Sequence, residues 1–221
     1  MTGPRCSCCY DDAFDQKHAE AKLRAYRRKG PGRASIALAD ALGVGGLEGR
    51  TVLDIGAGVG ALHHLLLDRG AASAVDVDAS GPYLEAARSE ARRRGIADRI
   101  RFEHGDFVAM APAIETADLV ALDRVVCCYG DIDALVGRAA ERTRQRLGVV
   151  LPPDGRFARF LVGLFNAWEL ARRSRFRIYA HPHARVVAAA RAGGLVSAGK
   201  SSVGIWRLLV FERQIPSGDS P

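Results

Sequence analysis

Short runs of Val, Ile, Leu and Ala alternate along this chain with longer stretches in which apolar residues recur every three or four positions. The short runs predict strands over 51–55, 73–77, 100–104, 118–122 and 147–151. The stretches between them predict helices over 60–69, 80–94, 107–112 and 131–146, the third of these being short. Branched apolar strands that each lead into a helix imply parallel βαβ units with right-handed crossovers. Two helices are expected ahead of the sheet. One covers 13–28, with Phe14, Leu23 and Tyr26 among alanines, and breaks at Lys29-Gly-Pro-Gly32; the other covers 34–42 and ends at Gly43-Val-Gly-Gly46. Beyond Pro152-Pro153 the pattern predicts a long helix over 159–174, an extended piece over 176–183 and a helix over 184–192. Two last strands, 195–201 and 205–213, are separated only by Ser202-Val-Gly204, a hairpin length, so the last strand should insert antiparallel. The expected fold class is α/β, a seven-stranded, mostly parallel sheet with helices on both faces and an antiparallel last strand.

The first strand runs through Asp54 into Gly56, Gly58 and Gly60, at the mouth of a helix. Glycines there let a ligand lie directly on backbone. Gly56-x-Gly58-x-x-Ala61 also satisfies the loose dinucleotide fingerprint, so spacing alone leaves two cofactors open. Asp54 discriminates between them. A carboxylate beside a helix N-terminus repels a pyrophosphate and attracts the ammonium of an amino-acid-bearing ligand, which points to S-adenosylmethionine (SAM). The second strand ends in Asp78, with Ser80 starting the next helix, and suits an acceptor for ribose hydroxyls; Asp76 lies one pleat earlier. The third closes on Gly105-Asp106, where an exocyclic adenine amine can donate, and Phe107 offers an apolar neighbour. Acids at the C-terminal ends of three successive strands form one crevice, where open α/β sheets bind ligands.

In this order, VLDIGAGVG at 52–60, AVDVD at 74–78, EHGDF at 103–107 and DLVALDRV at 118–125 resemble the class I SAM-dependent methyltransferases. The resemblance covers most of 48–213 and implies a Rossmann-like, SAM-binding methyltransferase domain there. It implies that Asp54, Gly56, Gly58 and Gly60 hold the methionine end, Asp78 the ribose, and Asp106 with Phe107 the adenine. The segment FRIYAHPHARVVAAARAGG with its terminal hairpin is distantly similar to magnesium-protoporphyrin O-methyltransferases, over the last quarter of the chain. The function this implies is methyl transfer to a small-molecule acceptor, with O-methylation slightly favoured. The alternatives are an RNA- or DNA-modifying methyltransferase and a SAM-binding protein that uses the cofactor for non-methylating chemistry.

Methyl transfer from a sulfonium is an in-line displacement that rests on alignment, and a general base is needed only where the acceptor must lose a proton. The fourth-strand exit, Asp123-Arg-Val-Val-Cys-Cys-Tyr129, is expected to face the methyl group. It lacks the Asn/Asp-Pro-Pro-aromatic signature of amino-methylating enzymes, which weighs against base modification. Tyr129 is a candidate to orient an acceptor or act as a weak base, with simple packing the alternative. Asp123 is grouped with the cofactor residues, a local hydrogen bond being its other reading; Arg124 is either an acceptor-carboxylate clamp or a structural ion pair. His181 and His183 flank Pro182 and are acid/base candidates, since imidazole titrates near neutral pH; the alternative is a histidine packed at a helix start. Tyr26 or Arg27, in an N-terminal helical cap over 13–47, is a candidate contact for the cofactor carboxylate. His63-His64 reads as helix surface and packing, because adjacent helical residues point apart.

With 221 residues, 48% of them hydrophobic, the chain can bury one large core. Its net charge of +7 is carried almost wholly by arginines interleaved with acids, a pattern of solvated helix faces. A nucleic-acid partner is therefore possible without being favoured. Five cysteines, an odd number, argue against a disulfide framework. Cys6, Cys8 and Cys9 lie in a segment, 1–12, expected to be flexible, and no second half-site completes a metal spacing, so no metal is expected. No apolar run approaches membrane-spanning length and no secretion signal opens the chain, so the expectation is cytoplasmic with no membrane insertion. Residues 214–221 are expected to be disordered. The sequence specifies neither the acceptor nor the oligomeric state.

Overall fold

The computed structural model describes residues 14–174 and 176–214; Cys6, Cys8 and Cys9, the rest of 1–12 and the tail beyond residue 214 lie outside them. Helices α1 (Gln16–Lys29) and α2 (Arg33–Leu42) lead into β1 (Thr51–Ile55), α3 (Ala61–Asp68), β2 (Ser73–Asp78), α4 (Gly81–Arg93) and β3 (Ile100–His104). A short α5 (Phe107–Met110), β4 (Ala117–Asp123), α6 (Ile132–Glu141), β5 (Thr143–Leu151), α7 (Arg156–Ala171), α8 (His183–Ala192) and the hairpin β6 (Leu195–Val203) and β7 (Trp206–Arg213) complete the chain. The sheet order is β3-β2-β1-β4-β5-β7-β6. β7 alone is antiparallel, paired to both β5 and β6, as the short hairpin turn requires.

Strand alternation sorts the core into two layers. Leu53, Ile55, Val77, Leu122 and Leu147 pack against α5, α6 and α8 on one face. Val52, Ala74, Leu119 and Val150 pack against Leu38 and Leu42 of α2 and Leu62 and Leu66 of α3 on the other. Gly148 of β5 makes room for α2, since a Cβ there would fall 2.3 Å from Leu38 Cδ1. Helix starts follow their caps. Asp15 accepts from His18 N (2.9 Å), Ser80 from Tyr83 N (3.3 Å) and Asp131 from Ala134 N (3.0 Å).

Two expectations are corrected. The helix expected over 131–146 stops at Glu141, and β5 begins at Thr143, four residues before the expected start. The apolar period of α6 runs Ile132, Leu135, Val136, Ala139, Ala140 and then ends. Arg144 and Arg146, which read as helical charge, are instead strand side chains paired with Asp118 and Glu212. His63 and His64, expected as helix surface and packing, are both fully buried, so the packing half holds and the surface half does not: His63 meets Asp54 of the sheet and His64 stacks against Tyr26 of α1. Helix α7, by contrast, has no buried residue at all.

Candidate active site

Chain connections leave β1 and β4 toward opposite faces of the sheet, so a crevice opens at their C-terminal ends. Its floor is the loop after β1. Gly56 has φ +67°, and a Cβ there would sit 2.5 Å from Val125 Cγ2; only glycine allows both. Gly60, at φ +79°, caps α3 in the left-handed region, with His63 Nε2 2.6 Å from where a Cβ would stand. Asp78, at the end of β2, ties this loop in place: Gly58 N donates to its Oδ2 and Ser80 N to its Oδ1, both at 2.8 Å. Burial pushes its carboxyl up to about 6, against the pull of those two N–H groups.

Below the loop, three carboxyls gather. Asp54 and Asp76 are register partners on adjacent strands and share the α3 face of the sheet. His63 Nδ1 lies 3.1 Å from Asp54 Oδ2, and since a carboxylate only accepts, Nδ1 carries the proton. Asp54 lines the cavity, and among the described residues neither its buried Oδ1 nor either oxygen of Asp76 has a hydrogen-bond partner. Burial first, then the charges of Asp78 and Asp54, hold the Asp76 carboxyl well above its usual range. His64 stacks edge-on against His63 at 4.5 Å between ring centroids, and burial drives its basicity down to about 2, so it is neutral.

The opposite wall comes from β3, β4 and the 123–129 turn. Asp106 caps α5 through Val108 N (3.0 Å), and Tyr129 Oη donates to both its carboxylate oxygens at 3.1 and 3.0 Å. Phe107 is buried behind it. Asp123 is held locally, by a two-point pair with Arg124 (2.8 and 2.9 Å) and by Ser35 Oγ at 2.5 Å. Arg124 adopts φ +63°, the left-handed region rare for a residue with a Cβ. Together these groups enclose a cavity of about 400 Å3 that also takes in Cys128, Leu135 and Trp206.

The structure thus brings together Asp54, Gly56, Gly58, Asp78, Asp106, Phe107, Asp123 and Tyr129 in one cavity wall, with Gly60 directly behind. Three other candidates are placed elsewhere. Tyr26 is packed between α1, α3 and α4, where its hydroxyl accepts from Arg94 (2.6 Å) and sits 3.4 Å from His64 Nδ1. His181 donates from Nε2 to the Tyr129 carbonyl at 2.8 Å, and His183 donates from Nε2 to the Pro152 carbonyl at 2.9 Å while its backbone N–H bonds Asp154. Neither imidazole belongs to the cavity lining. Their spacing around Pro182 marks the start of α8 and the seat of its connector. Phe14, read in the sequence only as part of a helix, lines the cavity with Lys22, Tyr83 and Trp206, none of which the sequence marked as a site residue. Only Tyr83 left a signal there, one turn past the Ser80 cap, where its ring comes within 3.6 Å of the Cβ position of Gly58. Among the described residues no cluster of three or more His, Cys, Asp or Glu stands ready for a metal.

The donor set fits a cation-bearing cofactor. Asp54 lines the cavity with one oxygen buried and unpartnered among the described residues; such an oxygen needs a hydrogen-bond donor, and an ammonium supplies one. The acidic floor disfavours a pyrophosphate at the same place.

Residues 52–155 match the family model described as "Methyltransferase domain". Ribosomal protein L11 methyltransferases of Enterobacter sp. (strain 638) and Salmonella arizonae are each 43% identical over 54 residues, which is 24% of this chain. The match spans only 18% of the length of those curated relatives. The fold is similar to magnesium protoporphyrin IX methyltransferase from Synechocystis PCC 6803 with bound SAH, at a TM-score of 0.72 and 19% identity, over 95% of this chain and 100% of that one. It is also similar to an O-methyltransferase family protein from Burkholderia thailandensis, at 0.70 and 21%, over 93% of this chain and 62% of that one. The likeness to the Synechocystis protein therefore extends well beyond the C-terminal quarter in which the sequence resembles such enzymes.

Proposed function

We propose that this chain is a class I SAM-dependent methyltransferase, a reading supported by its methyltransferase-domain match and its fold, and that it methylates a small-molecule acceptor, with oxygen the favoured atom. The observation that carries the cofactor half is the buried, unpartnered Asp54 Oδ1 at the floor of a glycine-lined cavity. SAM supplies an electrophilic methyl on a sulfonium. Asp54, oriented by His63, would hold the ammonium; the Gly56–Gly60 loop would lie under the methionine end. Asp78 would accept from the ribose diol, and Asp106 with Phe107 would frame the adenine.

The acceptor half rests on the wall formed by Val125, Cys128, Tyr129, Leu135 and Trp206, which is largely apolar. Such a wall excludes water and suits a compact, partly apolar acceptor better than a polynucleotide. Small-molecule enzymes occur among the structures of similar fold, a mitomycin 7-O-methyltransferase at a TM-score of 0.66 and 22% identity included. Most arginines that could form a phosphate track are instead paired, Arg27 and Arg93 with Glu90, Arg94 with Asp68 and Arg69 with Asp40. Tyr129 is the hydroxyl best placed to orient an acceptor, and His181 acts on the same residue from behind by holding its carbonyl.

Calorimetric titration with SAM and with S-adenosylhomocysteine (SAH) tests the cofactor half, with saturable binding expected; no heat and no change in melting with either would end this reading. Transfer of a labelled methyl group to panels of phenols, carboxylic acids, amines and RNA tests the rest. Labelling of RNA alone would overturn the small-molecule assignment.

A further inference from the structure

Helix α7 carries six of the ten large apolar side chains that stand exposed among the described residues. Phe157, Phe160, Leu161, Leu164 and Trp168 recur at helical spacing and are 46–73% exposed. At 100° per residue these five lie within one stripe. The stripe is turned outward by the opposite face, where Asn166 clasps the Ile178 backbone twice, donating to its carbonyl (2.8 Å) and accepting from its N–H (3.0 Å). Arg156 and Arg172 flank it, Arg173 follows at the C-terminal end of the helix and Arg159 lies on the opposite face, and Arg172 lies over the Trp168 ring at 4.5 Å. Among the described residues none of the four has a carboxylate within ion-pairing distance, although most of the other arginines do. Glu169 is the single acid of the helix.

We propose that this face of α7 seats the protein on an anionic lipid surface. A helix with Trp, Phe and Leu on one side and unpaired arginines along its edges has the composition of an interfacial helix. Its guanidinium groups reach the headgroups while the aromatic stripe enters the acyl boundary. A second copy of the chain fits less well, because a two-fold contact through the stripe would bring its flanking arginines together with those of the other copy. A polynucleotide would use the charge and leave the stripe exposed. Seating on a surface is distinct from crossing one, and no helix among the described residues is long and apolar enough to span a membrane.

The seat is coupled to the cavity. The connector that leaves α7 docks on the 127–129 turn, with Tyr179 N donating to the Cys127 carbonyl at 2.7 Å and His181 to that of Tyr129. Lipid binding through α7 would hold the cavity near the bilayer, with the helix and its connector between the lipid and the Cys128–Tyr129 wall, which fits an acceptor that partitions into lipid. That last consequence rests on the methyl-transfer reading; the lipid seat does not.

The test is flotation of the full chain with vesicles of phosphatidylcholine alone and of phosphatidylcholine mixed with phosphatidylglycerol. The expected result is salt-sensitive flotation with the anionic vesicles, and a blue shift of tryptophan emission that Trp168→Phe abolishes. Phe160→Glu with Leu164→Glu should reduce vesicle binding at least about tenfold, the order expected for charge placed on an apolar face, with unchanged melting because both side chains are exposed. Arg156→Glu with Arg173→Glu should remove the preference for anionic lipid. Absence of flotation by the unaltered protein, or equal flotation of the Phe160→Glu, Leu164→Glu variant, overturns the proposal. So does a dimer in sedimentation velocity that these substitutions dissociate, without any vesicle binding, since the face would then belong to a second copy. SAH titration of the same preparations reports separately on the cofactor reading.

Discussion

Asp78→Asn is the substitution whose consequences the structure sets most sharply. Asp78 accepts one backbone N–H on each oxygen, from Gly58 and Ser80. An amide can present oxygen to only one of them and must turn its own NH2 toward the other. The lost charge-assisted bond is worth about 1.5–3 kcal/mol. Against this, burial lifts the Asp78 carboxyl from 3.8 to about 6, and ionising it in the fold at neutral pH costs about 3 kcal/mol that asparagine does not incur. The two effects nearly cancel, so the variant should melt within a few degrees of the parent at pH 7.5. The pH dependence separates them. A carboxyl raised in the fold binds more protons folded than unfolded between those two values, so its contribution to stability falls as pH rises through about 6 and returns on acidification. From pH 7.5 to pH 5 the parent should gain about 1.4 kcal/mol over the variant, or about 3–6 °C for a chain of this size. Asp76 is raised chiefly by burial in both proteins, and the smaller part that comes from the Asp78 charge is absent from the variant.

The same change bears on the ligand. Ribose hydroxyls donating to a charged acceptor make SAH affinity fall about 10–100-fold in the variant at pH 7.5. That ratio should shrink toward pH 5, where the parent carboxyl is itself mostly protonated. Urea unfolding and calorimetry at the two pH values measure both arms. Equal SAH affinity at pH 7.5, or a ratio indifferent to pH, refutes the ribose-acceptor argument. A stability difference that does not change between pH 7.5 and 5 refutes the burial argument.

Three further outcomes follow from single contacts. His63→Leu strips the buried Asp54 of its partner and should cost about 3–5 kcal/mol, while His63→Asn, which can return a donor to Oδ2, should recover much of it in thermal melting. Gly148→Ala places a methyl 2.3 Å from Leu38 Cδ1 and 3.2 Å from Leu42 Cδ2, and should cost about 1–3 kcal/mol in urea unfolding as α2 is pushed off the sheet. His181→Ala should leave the methyl-transfer rate within about threefold, where loss of a general base would cost about 10²–10⁴-fold; a larger loss, with an imidazole limb missing from the pH profile, would return His181 to the chemistry.

Sequence alone determined the alternation of strands and helices, the antiparallel ending and which strand-end acids and glycines meet at one cavity. Each of these is written in local terms: a period of two or of 3.6, a hairpin-length gap, three glycines behind an acid, acids closing successive strands. Such signals survive folding because the cofactor crevice of an α/β sheet is assembled from strand ends whose order the chain itself dictates. Tertiary structure decided what the polar groups find. His181 and His183 read as free imidazoles until residues fifty and thirty positions away, Tyr129 and Pro152, present their carbonyls. His63 reads as surface until α3 lies on the sheet and delivers it to Asp54. Arg144 and Arg146 read as helical until Asp118 and Glu212 draw them into β5. The apolar period of α7 marks a helix equally well whether its stripe faces the core or the solvent, and here it faces outward. Periodicity reports which positions share a face; it carries no record of the distant atom that will satisfy a polar group or cover an apolar one.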